Sequence, residues 1–180
     1  MGLGGLSGNT ALPWSLELIE LYKNRWDWEG LSENTALPWS IELIESFKDR
    51  WIWGRDFPPD GTLSWSTAVP WSPELIEQFK DRWHWESLTQ NEALRWSLDL
   101  IEQFKDRWGW GGFLDNLSVN TALPWSLELI GRYEDRWDWG EYQLSGNTAL
   151  PWSLELIELY KDRWDWGGSP GIQPCHGRSS

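Results

Sequence analysis

The 180-residue sequence contains one cysteine, one methionine and two histidines. A single cysteine cannot form a disulfide within the chain, and nothing in the sequence points to an oxidising compartment. Cys175 and His176 are adjacent but have no second group of ligands, so we predict no metal and no cofactor. The sequence also lacks a nucleophile–His–acid set and a glycine-rich phosphate loop, and we therefore expect a protein that is not an enzyme.

Positive charge and long apolar runs are scarce as well. Fifteen Lys and Arg oppose 28 Asp and Glu, which gives a formal net charge of −13 and a pI near 4.5. Nucleic-acid binding depends on clustered basic residues, so this balance argues against nucleic acid and favours a protein partner with a basic contact surface. No run reaches the roughly 18 apolar residues of a membrane span, and residues 1–10 lack the pattern of a signal peptide. We expect no membrane partner and a cytoplasmic location.

Tryptophan, by contrast, occurs 19 times, and nearly all of these residues belong to a tandem repeat. The repeat is about 25 residues long and follows the pattern L-S-x-N-x-A-L-P-W-S-x-E-L-I-E-x-[FY]-K-D-R-W-x-W. Its copies, repeats one to six, begin at Leu6, Leu31, Leu63, Leu88, Leu117 and Leu144. We call the three tryptophans of each copy the first, second and third. All variation in length follows the third tryptophan, which predicts that the W-x-W segment is a loop.

A substitution within the repeat indicates where its helix begins. Ser15 of repeat one is followed by Leu16, whereas the equivalent Ser72 is followed by Pro73. Proline is favoured at the first position of a helix, so the serine is predicted to be the N-cap. Apolar residues then recur at Leu18, Ile19, Tyr22 and Trp26, which favours a helix that continues through D-R-W. The first tryptophan and Ile19 are placed as the two partners of a hydrophobic staple.

One such helix is too short to be stable alone, so neighbouring repeats are expected to share a core. We predict a mainly α fold, a tandem-repeat solenoid of six units, each with one short helix, a helical turn and a W-x-W loop. The array occupies residues 1–166 as a single domain, and 167–180 form a disordered tail. The alternative is a βα solenoid in which W-x-W is a short strand.

Repeats one and six differ at two of 25 positions, and neither has a specialised polar outer face. Terminal repeats of a solenoid normally have such a face. Either the chain is part of a longer array, or its ends contact other molecules, for example in end-to-end self-association.

The motif L-S-x-N-x-x-L-P-W-S-x-E-L-I, closing in D-R-W-x-W, resembles the Trp-rich short tandem repeats of uncharacterised proteins from bacteria and giant viruses. The resemblance covers about residues 6–166 and implies a repeat fold. It implies no activity and no catalytic residue.

Two surfaces are candidates for partner binding. The first is a carboxylate that recurs early in each predicted helix, and we call this set the acidic row: Glu17, Glu42, Glu74, Asp99, Glu128 and Glu155. The second is Trp65, the one tryptophan outside the repeat pattern. The remaining tryptophans are predicted to be core, and the arginine before each second tryptophan is predicted to stack on a neighbouring indole. The sequence thus favours a non-enzymatic protein-interaction or structural scaffold, with an aromatic-platform module for carbohydrate or peptide as the alternative.

Overall fold

The computed structural model describes residues 5–55, 62–111 and 116–167, and in these residues the chain is mainly helical and contains no strand. Six short α-helices follow the serine caps of the six repeats. They are α1 (Leu16–Leu21), α3 (Ile41–Ser46), α4 (Pro73–Gln78), α6 (Leu98–Gln103), α7 (Leu127–Arg132) and α8 (Leu154–Leu159). Two further helices, α2 (Trp28–Glu33) and α5 (Trp85–Gln90), begin at third tryptophans. The prediction of a mainly α fold is confirmed to this extent.

The predicted serine caps are confirmed in every repeat. The hydroxyl of Ser15 accepts a hydrogen bond from the amide of Leu18, and the five equivalent serines bind the same way at 3.1–3.2 Å. Pro73 occupies the first position of α4, where its missing N–H costs no hydrogen bond. The acidic-row residue of each repeat lies in the first turn, where the helix dipole favours a carboxylate.

The helices are shorter than predicted, and none of them extends to D-R-W. In repeat one the α-helix ends at Leu21 and residues 22–25 form turns. The carbonyl of Ile19 would accept from the amide of Lys23 in a continuing helix, but it accepts from the indole N–H of Trp26 at 3.0 Å. The amide of Lys23 instead bonds to the carbonyl of Glu20. The second tryptophan therefore caps the C-terminal end of its helix.

The segment between repeats takes two forms, which depend on the length of the connection. Where consecutive repeats start 25 residues apart, the third tryptophan begins an α-helix that runs into the next repeat. Side chains of Asp27 and His84 cap these two helices. Where the spacing is longer, the next repeat opens with a 3₁₀-helix, at Leu63–Trp65, Leu117–Val119 and Leu144–Gly146. The predicted W-x-W loop is thus wrong at two positions, and the alternative of a W-x-W strand is wrong at all six.

The core consists mainly of leucine and isoleucine side chains. Ile19 and Ile44 and the leucines that open repeats two to six are fully buried. The second tryptophans of repeats two to six are buried, at 8% exposure or less, and Trp26 is half-buried. The first tryptophans are less buried than a staple at the centre of a core would be. Trp71 is 5% exposed, Trp152 is 42% exposed and the other four are half-buried.

A hydroxyl group links each repeat to the one before it. Ser32 accepts from the amide of Ile52 in its own repeat at 3.0 Å and donates to the carbonyl of Trp28 in the preceding repeat at 2.7 Å. The serine or threonine at the same position makes the equivalent pair of bonds in repeats three to six. These hydroxyls therefore satisfy the middle amide of one W-x-W segment and the last carbonyl of the preceding one, although the segments form no sheet.

Candidate functional site

The third tryptophan of each of repeats one to five lies against the next repeat. Trp28 makes an edge-on contact with Trp51, and the five such pairs have ring centroids 4.7–5.0 Å apart. It also contacts Phe47, and the equivalent pairs lie 4.7–5.3 Å apart. These geometries are the ones that aromatic quadrupoles favour. We call this contact between consecutive repeats a junction.

An arginine spans each junction above the third tryptophan. Arg107 lies 5.7 Å from the ring centroid of Trp85 in the preceding repeat, and its guanidinium bonds to Asp81 at 2.8 Å. The same arrangement joins the other repeats, although Asn24 replaces the aspartate at the first junction. The predicted stacking is confirmed at all five junctions. The partner aspartate was missed, although the D-R pair that recurs in five of six repeats was a visible signal.

In repeats two, four, five and six an asparagine also crosses the junction, whereas repeat three has Ser66 at this position. The side-chain amide of Asn91 donates to the carbonyls of Ser64 and Ser66 at 3.0 and 3.2 Å. Asn34, Asn120 and Asn147 make equivalent bonds to the repeat before them. The oxygen of each amide accepts from the backbone amide two residues later, so the same side chain also shapes its own turn.

The lysines are bound within their own repeats. Each of the five lies within 3.7 Å of the glutamate three residues before it. Lys105, for example, bonds to Glu102 at 2.7 Å, and Glu102 also accepts from the Tyr133 hydroxyl of the next repeat. Burial and the hydrogen bond to Glu102 raise the pKa of Tyr133 to about 12. The carboxylates one turn beyond the acidic row are therefore largely engaged by the protein itself.

The acidic row is exposed throughout its length. Glu128 bonds to Arg132 at 2.7 Å, whereas the other five members have no salt bridge within the described residues. The pKa of Glu17 and that of Glu74 are lowered, first by their own backbone amides and then by the capping serines. These carboxylates are therefore held in the charged form at the N-terminal ends of their helices.

Trp65 lies half-buried in the x position of L-S-x-N. It stands between two shallow grooves of about 320 and 310 Å³, one shared with Gln90 and Val119 and the other with Glu33 and Thr35. The other 18 indole N–H groups all donate to backbone carbonyls at 2.6–3.2 Å. Trp65 makes no such bond to any residue that the structure describes. Its polar edge is thus available to a ligand.

The described residues contain no group of three or more His, Cys, Asp or Glu side chains placed to hold a metal ion. Cys175, His176 and the predicted tail beyond Gly167 lie outside these residues. His84 is half-buried and caps α5, with its Nδ1 2.8 Å from the hydroxyl of Ser87. His84 therefore serves as the N-cap of α5.

No helix in residues 5–55, 62–111 and 116–167 exceeds six residues, so none of them could cross a membrane. Comparison of the chain with protein-family models, curated proteins and solved structures finds no match.

Proposed function

We propose that the protein is a non-enzymatic scaffold that binds a partner protein. Its six repeats stack as a solenoid, and the acidic row forms a continuous edge that docks on a basic surface. The repetition of one set of junction contacts supports the stacking, because repeats one to five each pack the third tryptophan against the next repeat. The lone cysteine and the excess of acidic residues fit a cytoplasmic protein.

The distribution of charge carries this proposal. The lysines and five of the arginines neutralise or contact groups of the protein itself, at the junctions or within the helices. Excess negative charge is consequently left on exposed carboxylates that include the acidic row, whose one cation partner within the described residues is Arg132. Exposed carboxylates of one sign at a regular spacing attract a basic protein and repel nucleic acid.

A labelled oligolysine peptide is a suitable first probe. The full-length chain is titrated into the peptide at increasing salt, and we expect the dissociation constant to rise with ionic strength. The double variant Glu42→Gln/Glu74→Gln should bind about threefold to tenfold more weakly, since each exposed charge pair contributes about 0.2–1 kcal/mol.

The matched control is Glu33→Gln/Glu141→Gln, which removes the same charge from two exposed carboxylates outside the row. It should bind the peptide nearly as well as the unaltered chain. Equal losses in the two double variants would mean that binding depends on net charge alone, and the docking edge would be disproved.

Trp65 supports a second candidate function, binding of a carbohydrate or an extended peptide. The supporting observation is its unbonded indole N–H beside two grooves, which offers a stacking face and a donor together. Cellohexaose and maltohexaose, titrated calorimetrically, test the carbohydrate form. Trp65→Ala should abolish any heat of binding, whereas Tyr142→Ala, which removes another exposed ring, should not. Absence of binding by the unaltered chain would remove this carbohydrate function.

A further inference from the structure

The third tryptophan of repeat six differs from its counterparts in exposure. Trp166 is 69% exposed, whereas the third tryptophans of the other repeats are half-buried at junctions. Its indole N–H still donates to the carbonyl of Lys161 at 2.9 Å, so the ring is held in the same orientation as the others. The exposed ring of Trp166 is therefore held as the third tryptophans of the other repeats are held at their junctions.

Repeat one presents the complementary surface. At the junction between repeats five and six, Trp139 contacts Tyr160 and Trp164 at 5.0 and 4.7 Å and lies 5.7 Å below Arg163. The residues of repeat one that correspond to these three are Tyr22, Trp26 and Arg25. All three line an open groove of about 710 Å³, together with Leu6, Leu12 and Leu18.

The polar groups of the two surfaces are complementary too. Arg163 bonds to Asp135 across the last junction at 2.6 Å. The corresponding residues at the two ends of the array are Arg25 in repeat one and Asp162 in repeat six. Neither of them has an ion-pair partner within the described residues. The side-chain amide of Asn9 likewise has no acceptor there, whereas Asn147 uses the same group to bind the carbonyls of repeat five. Repeat one thus has donors, and repeat six has acceptors, in the order that an internal junction uses.

The backbone leaves room for such a contact. Gly5 and Gly167 have φ angles of 51° and 66°, and a Cβ at either position would meet nothing within 4 Å. Two repeats can also join although nine residues separate Trp53 from Leu63 in the sequence. Trp53 nevertheless contacts Phe79 and Trp83 of repeat three at 5.2 and 4.7 Å. A longer connection after the third tryptophan therefore does not prevent a complete junction.

We infer that copies of this chain associate head to tail. Trp166 of one copy occupies the groove of repeat one in the next, under Arg25, and Asp162 pairs with that arginine. The contact joins two different surfaces, so it leaves one of each free and produces open chains or closed rings rather than a two-fold dimer. This association is independent of the acidic row and of Trp65.

Sedimentation velocity of the full-length chain tests the inference. The mass should rise with protein concentration in the micromolar range, in multiples of 21.1 kDa. Trp166→Ala should weaken association by at least about tenfold, as expected for a central aromatic anchor. Tyr142→Ala is the control, because Tyr142 is 82% exposed but belongs to neither end surface, and it should associate like the unaltered chain.

A charge exchange distinguishes the specific contact from damage to folding. Arg25→Asp and Asp162→Arg should each weaken association, and the double variant should recover it because the pair is restored in reverse. A mixture of Trp166→Ala with Arg25→Asp should form a dimer and stop there, since each molecule has one intact end. A chain that stays at 21.1 kDa at every concentration, or a Trp166→Ala variant that associates normally, would overturn the inference.

Discussion

At the scale of single residues, the tryptophans act both as apolar filling and as hydrogen-bond donors to the backbone. The second tryptophan of each repeat donates to the carbonyl seven residues earlier, and the third donates to the carbonyl five residues earlier. A carbonyl at the end of a short helix would otherwise have no partner in the helix. Replacement of such a tryptophan by another apolar residue therefore removes a cap as well as buried area.

Trp108 provides a direct measurement of this double role. It is 4% exposed, packs against Trp85 and Trp96, and donates to the carbonyl of Ile101. Trp108→Ala should lower the free energy of unfolding by about 3–5 kcal/mol in a urea titration. Trp96→Ala should cost less, because Trp96 is half-buried rather than buried. Equal costs for the two variants would contradict the order of burial found here.

Tyr133 makes stability depend on pH at the alkaline end. Its pKa in the folded protein is raised to about 12 by burial and by the hydrogen bond to Glu102. The folded state therefore retains the phenolic proton more strongly than the unfolded state does, and this contribution is complete below about pH 10. It is lost as pH rises from about 10 to 12. Tyr133→Phe should flatten the fall in melting temperature over that range, and an unchanged profile would disprove the effect.

At the scale of the helix, the sequence predicted the beginning correctly and the end incorrectly. Serine caps and Pro73 are local signals, and local chemistry determines where these helices start. The apolar spacing of Leu18, Tyr22 and Trp26 continues past the true end, so periodicity alone extended the helix by a turn. The helix stops because the indole of Trp26 takes the carbonyl of Ile19. Such a side-chain competitor leaves no trace in a hydrophobic pattern.

The acidic row is exposed because its position lies off the apolar stripe of each helix. Which carboxylates would be neutralised could not be predicted. The pairing of Asp81 with Arg107 depends on the offset between neighbouring repeats, and only the structure supplies that offset.

The caps themselves are open to a paired test in repeat two. Ser40→Ala removes the acceptor for the amide of Leu43 and should cost about 1 kcal/mol. Ile41→Pro should be tolerated within about 1 kcal/mol, since Ile41 is exposed and occupies the position that Pro73 occupies in α4. Thermal unfolding of the two variants measures both losses of stability. A loss from Ile41→Pro larger than that from Ser40→Ala would place the helix start elsewhere.

At the scale of the whole molecule, the junctions combine a ring contact, a cation over an indole and an ion pair. Arg107→Ala removes the last two of these, and we expect a loss of about 1–2 kcal/mol in urea unfolding. Arg107→Lys should recover less than half of it, because an ammonium group lacks the planar fork. Arg95→Ala is the matched control, as Arg95 is exposed and has no ion pair within the described residues. A comparable loss from Arg95→Ala would assign the effect to charge rather than to the junction.

The junctions have one consequence for inheritance. Because the five junctions use nearly the same residue types at the same positions, repeat three could meet repeat five with contacts equivalent to those it now makes to repeat four. Loss or duplication of one whole unit by unequal recombination would then preserve every remaining interface. Natural selection could adjust the length of the molecule in whole units, and repeat number is expected to differ among descendant genes more readily than the tryptophans do.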